Sequence, residues 1–226
     1  MTDDGFFREV NEELRTDKMR AFWERYGTVL IGAVIAVVIG TGIFAFYEYY
    51  TERQASQSGD KFLAALNLVR EGKNDEAVAA LAELEKDGYG AYPVLARMRS
   101  AGVLAQKGDL AGAVAAFDKV AADGSIPQSL RDLAKLRAAF ILIDTGSYDD
   151  VANRVQALAA DNNPMRHSAR EALGLAAWKA GRGEDATKLF QQISDDQAAP
   201  GNARQFADQM LDLLKSTGAS PAAAAG

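Results

Sequence analysis

Apolar and polar positions follow two different plans along this chain. From Tyr26 to Tyr47 it reads YGTVLIGAVIAVVIGTGIFAFY, 22 residues without a charged side chain. From residue 55 to 216, apolar residues instead recur every three or four positions, broken by glycine-containing turns. The second plan predicts amphipathic α-helices and no strands. The first predicts one helix that is apolar on every face.

At 1.5 Å per residue, 22 residues span roughly 33 Å, about the thickness of a bilayer's hydrocarbon core. Trp23 and Tyr26 stand at one end and Tyr47, Tyr49 and Tyr50 at the other, where amphipathic rings prefer the interface. A cleavable signal would have a shorter apolar run and a small-x-small cleavage site; here the bulky Tyr47-Glu48-Tyr49-Tyr50 follows instead. The stretch therefore reads as a retained transmembrane helix. Five Lys or Arg lie in the 18 residues before Tyr26 (Arg8, Arg15, Lys18, Arg20, Arg25) and two in the 18 after Tyr47 (Arg53, Lys61). That bias puts the N-terminus in the cytoplasm and the larger part of the chain across the membrane. Within the span, Thr28, Gly32, Ala36 and Gly40 share one helix face, where small residues admit a second helix, from another copy or a different protein. Ahead of it, Phe6, Val10 and Leu14 recur at intervals of four, and Thr16 and Asp17 suit the cap of a second stretch. A short amphipathic helix is expected there, either lying on the cytoplasmic surface or docking onto a partner's cytoplasmic loops.

The helical part repeats. Gly72, Gly108, Gly146 and Gly181 lie 36, 38 and 35 residues apart, each followed five positions on by Ala77, Ala113, Val151 or Ala186. Four further on stand Leu81, Phe117, Val155 and Phe190, and three beyond those Leu84, Val120, Leu158 and Ile193. Twelve residues before each Ala or Val is a small residue: Ala65, Ala101, Ala139 and Gly174. Pro93, Pro127, Pro164 and Pro200 repeat independently at 34, 37 and 36 residues, where each new hairpin should begin. The frame implies helical hairpins. Small residues in the first helix let the second cross closely, the glycine closes the first helix in a left-handed conformation, and larger apolar residues fill the space between hairpins. The expected helices cover 52–71, 75–87, 92–107, 110–122, 127–145, 148–160, 164–180 and 184–194, with a closing helix over 200–216.

The small residue, turn glycine, second-helix alanine and following aromatic together resemble tetratricopeptide repeats in diverged form. The tyrosine usual in the first helix and the proline-terminated end are replaced, so a regular superhelical groove is not implied. With the segment from Glu12-Glu13-Leu14-Arg15 through Tyr26-Gly27 and the Ala-rich end, the whole layout is similar to the bacterial ancillary SecYEG translocon subunit family (YfgM-like). That resemblance implies an inner-membrane protein with a periplasmic domain, associated with the Sec translocon and periplasmic chaperones. The organisation read is thus all-α: a cytoplasmic amphipathic segment over 1–25, a transmembrane helix over 26–47, a repeat domain over 48–216 and a disordered tail over 217–226.

Charge and composition narrow the function. The net charge is −6, and from Glu48 onward 20 basic face 24 acidic side chains, which argues against nucleic-acid binding. The chain has no cysteine and one histidine, His167, no phosphate-binding loop and no metal-spaced cluster. The string Gly40-Thr41-Gly42 lies inside the span and follows no strand, so its likeness to a dinucleotide fingerprint is accidental. Acidic pairs such as Asp149-Asp150 and Asp195-Asp196 suit helix starts. No catalysis and no cofactor are expected, and the function read is protein binding by a membrane-anchored scaffold. The resemblance specifies export or chaperone hand-over; an envelope scaffold for cell-wall synthesis or division is the alternative. By the repeat frame, Phe62, Met98, Leu136, Phe140 and Trp178 are candidates to line a partner groove, or else to pack against neighbouring helices. Arg97, Arg99, Arg131, Lys135 and Arg137 would present charge to acidic partners or simply to solvent.

Overall fold

The computed structural model describes the backbone of residues 3–216, with the side chains of Arg20 and of residues 23–216. Nine α-helices follow in chain order, with no strand among the described residues. They are α1 (Asp3–Arg70), α2 (Asn74–Asp87), α3 (Tyr92–Gln106), α4 (Leu110–Ala122), α5 (Gln128–Thr145), α6 (Tyr148–Val155), α7 (Arg166–Lys179), α8 (Gly183–Ser194) and α9 (Gly201–Ser216). The chain divides into two units, Met1–Ser56 and Gln57–Gly226.

In the first unit, α1 is unbroken from Asp3, so the capped break expected at Thr16 and Asp17 does not occur. Residues favourable to helix on both sides let the backbone ladder run through, and a potential cap is unused where no turn precedes it. From Trp23 onward α1 is the one described helix long and apolar enough to cross a membrane, and no part of its apolar window is buried. Val29, Ile39 and Phe46 are all exposed, Phe46 at 72%. The run of apolar side chains on every face has no protein core to enter, which is what a lipid-facing helix requires. The expected tail over 217–226 lies outside the described residues.

The second unit is a stack of hairpins. Ala65, Ala101 and Ala139 are fully buried and Gly174 is buried, opposite Ala77, Ala113, Val151 and Ala186, all fully buried. The larger residues of each second helix, from Leu81 and Leu84 to Phe190 and Ile193, are at most 4% exposed. They form four successive apolar layers: the end of α1 with α2 and α3, then α3 to α5, then α5 to α7, then α7 to α9. Phe206 of α9 meets the Phe190 ring edge-on at 6.1 Å, and Met210, Leu211 and Leu214 close the last layer.

The turns follow the expected chemistry with one exception. Gly72, Gly108 and Gly181 have φ of 77°, 86° and 73°, the left-handed region that favours glycine. Gly146 does not: its φ is −118°. There Ser147 and Asp150 form a reciprocal capping box that starts α6 directly, and a Cβ on Gly146 would lie 2.9 Å from Leu142 Cδ2. What opposes a side chain at that turn is the closeness of Leu142 and Asp150, not the dihedral. The helix expected to run to 160 is also shorter: α6 ends at Val155 and a 3₁₀ turn, Gln156–Ala159, carries Leu158 into the core.

Candidate functional site

Of the first helices of successive hairpins, α5 packs along α7. Between α3 and α5 an open cleft of about 790 Å³ remains. Gly102, Ala105 and Gln106 of α3 form one wall and Leu133, Leu136, Phe140 and Ile141 of α5 the other, with Leu110 and Phe117 of α4 between them and Ser168 of α7 at the edge. The glycine and alanine of α3 supply the space: they stand opposite Phe140 and its neighbours without side chains that would fill it. Arg99, Arg137 and Asp144 add charge to this apolar lining.

Of the five residues singled out for a groove, the structure brings Leu136 and Phe140 together in this cleft. Phe62 packs in the first apolar layer, its ring 6.1 Å from that of Tyr92. Met98 belongs to the layer between α3 and α5, and Trp178 lies against α8 and α9. The repeat frame explains why Trp178 departs: it stands four after its small residue, whereas Phe62, Met98 and Leu136 stand three before theirs. The α7 residue at that register is Glu171, half-buried, and its burial raises the carboxyl's pKa. In the first unit, Thr28, Gly32, Ala36 and Gly40 are exposed, and a Cβ on Gly32 or Gly40 would meet nothing within 4 Å.

The cations around the cleft differ in what they touch. Arg97 binds Glu85 at 3.0 Å and Asp123 at 2.8 Å. The Ser125 hydroxyl and backbone N–H donate to Asp123 as well, and with Arg97 they hold its carboxyl down at about 2. Arg131 donates to Gln128, and Lys135 pairs with Asp132 at 3.1 Å. Asp144 pairs with Lys179 at 3.6 Å. Arg99 and Arg137 have no ion pair or hydrogen bond among the described residues, and the Arg99 Nε is buried without an acceptor. Sequence periodicity identifies all five cations of α3 and α5 as surface charge; the acids that neutralise Arg97 come from outside α3 and carry no periodic signal.

His167 has a structural setting. Its Nε2 lies 2.8 Å from Asp196 Oδ2, which also accepts from Arg166 Nε at 2.9 Å, while Asp196 Oδ1 accepts from the Ala198 N–H at 2.8 Å. These bonds, His167 foremost, hold the Asp196 carboxyl far below the usual carboxylate range. The cluster ties the start of α7 to the turn before α9. Among the described residues no three His, Cys, Asp or Glu side chains are grouped to hold a metal.

Stacked helical hairpins with a side-chain-lined cleft on their first-helix face define a repeat-type interaction module. The family model for the tetratricopeptide repeat-like domain matches residues 20–216, and the chain belongs to that family. No curated protein matches the chain. Repeat domains of this kind take other proteins as partners and are typically non-catalytic.

Proposed function

We propose that this protein is a membrane-anchored scaffold that catalyses nothing and holds partner proteins in the cleft between α3 and α5. The cleft is the observation that carries the reading: it is open, largely apolar and lined by first helices, the face such arrays use for binding. The unburied apolar stretch of α1 supports anchoring in a bilayer. The excess of Lys and Arg before Tyr26 supports an N-terminus in the cytoplasm and a periplasmic repeat domain in a bacterial inner membrane. Thr28, Gly32, Ala36 and Gly40 would then be the face on which a second helix packs. The likeness of the layout to the ancillary SecYEG translocon subunits favours the Sec translocon and periplasmic chaperones as partners.

Photocrosslinking in living cells tests this. A photoreactive residue at Gln106, in the cleft, and another at Ile39, in the span, are each activated and their adducts identified by mass spectrometry. Translocon subunits at Ile39 and an export substrate or chaperone at Gln106 are expected. Cell-wall synthases or division proteins at both positions would replace the export reading with the envelope one. Adducts with neither class, at either position, would end the scaffold proposal.

A further inference from the structure

We infer that the cleft recognises an extended acidic segment of a partner protein, with carboxylates on Arg99 and Arg137 and an apolar side chain between them and Asp144. This rests on the scaffold reading above and adds the chemistry of the ligand. The first support is the sorting of charge. Arg97, Arg131 and Lys135 are occupied by Glu85, Asp123, Gln128 and Asp132, whereas Arg99 and Arg137 have no partner among the described residues. Both unpartnered guanidinium groups line the one cleft.

Register is the second support. Arg99 stands two residues before Ala101 and Arg137 two before Ala139, so the two hold the same place in successive hairpins. In an extended peptide, alternate side chains point the same way at intervals of about 7 Å. The flexible arginine stems reach into the cleft from its two walls, so a ligand with acids at alternate positions offers a carboxylate to each. Planar guanidinium groups suit carboxylates, which each can bind through two N–H donors.

The third support is the cleft's polarity. Seven residues beyond Arg137, about 10 Å along α5, stands Asp144, and the matching place on α3 is the neutral Gln106. Asp144 is already paired with Lys179, so that end offers an incoming acid nothing. Between the two ends lie Phe140 and Ile141, with Leu136 beside Arg137. An apolar side chain next to the acids would rest on these three. A lipid headgroup would satisfy the arginines and leave this apolar wall unused, so a peptide fits better.

Random eight-residue segments displayed on phage are selected against the full chain in nanodiscs, in parallel with the variant Arg99→Gln/Arg137→Gln. Circular dichroism checks that the variant keeps its helix content. Segments with Asp or Glu two positions apart beside Leu, Ile or Phe are expected from the native protein and not from the variant. The most enriched segment, made as a fluorescent peptide, should bind the variant about tenfold to a hundredfold more weakly, and more weakly still as salt rises. Arg97→Gln, which alters an already paired cation, should leave its affinity unchanged. Enrichment of uncharged or basic segments, or equal enrichment by both proteins, overturns the inference and leaves the scaffold reading standing. Enrichment of nothing by either protein overturns both. Arginine-dependent binding of phosphatidylglycerol vesicles, with no peptide selected, would reassign the cleft to lipid and likewise overturn it.

Discussion

Gly174 and Gly102 are both glycines within first helices, and the same substitution at each should have opposite effects. A Cβ at Gly174 would lie 2.8, 3.0 and 3.1 Å from Cζ, Cε2 and Cε1 of Phe190. That ring is fully buried and set edge-on against Phe206, so it has no free space into which to retreat. Overpacking of this kind costs about 1–3 kcal/mol. At Gly102 a Cβ would meet nothing within 4 Å, because the position opens on the cleft. Replacing glycine by alanine inside a helix gains about 0.5–1 kcal/mol at either site. Gly102→Ala should therefore stabilise the protein by that amount. Gly174→Ala should be destabilising by up to about 2 kcal/mol, with the difference between the two near 1–3 kcal/mol. Urea unfolding of the full chain in detergent measures both, followed by Trp178 fluorescence in a Trp23→Phe background. Trp178 lies one turn beyond Gly174 and belongs to the same apolar layer as Phe190. Phe190→Leu should couple to Gly174→Ala, making the alanine less harmful in the double variant than alone. Equal effects of the two alanines would refute the claim that a small residue is needed where Phe190 crosses α7.

The ionisable groups give two further expectations. Asp196 has its carboxyl held far below the usual range by His167, Ala198 and Arg166, so its contribution is fully present above the unfolded value of about 3.9 and is lost as pH falls through the lower folded value. Asp196→Asn should be less stable than the native chain at pH 7, and thermal unfolding at a series of pH values should show that gap closing in strong acid. Glu171 has the opposite sign: its pKa is raised by burial, so its penalty is absent below about 4.3 and complete above the raised folded value. Glu171→Gln should gain stability over the native chain at pH 7, a gain that fades on acidification; a gap independent of pH would refute it. For the span, lysines at Ile35 and Val38 would each cost about 2.5–3.5 kcal/mol at mid-bilayer, so the double variant should leave the carbonate-resistant membrane fraction.

Much of the fold was legible because its signals are local or periodic. A charge-free run and glycines near every 36th residue need no knowledge of distant partners. The small residues at Ala65, Ala101, Ala139 and Gly174 mark where helices cross, and the structure buries all four. What escaped depends on competition between neighbours. The cap at Thr16 and Asp17 was unused because helix on both sides outweighed it, and Gly146 took an ordinary φ because Ser147 already had a capping partner in Asp150. The cleft was legible only in part. Leu136 and Phe140 follow from the frame, but the distinction between Arg99 and Arg97 does not. It depends on Glu85 and Asp123, which come from α2 and from the turn after α4.

Several ion pairs of the hairpin stack join one hairpin to the next: Lys107 with Asp75, Arg154 with Asp118 and Lys179 with Asp144. The apolar layers likewise each span three consecutive helices. Such a stack behaves mechanically like a zipper, because separating one layer leaves the grip between the others intact. Pulled from the α9 end, it should lengthen in discrete steps of about one hairpin each, a compliant leash instead of a brittle block. A protein that keeps hold of a moving partner can use that give, since tension would be relieved at the outermost layer before the remaining hairpins come apart.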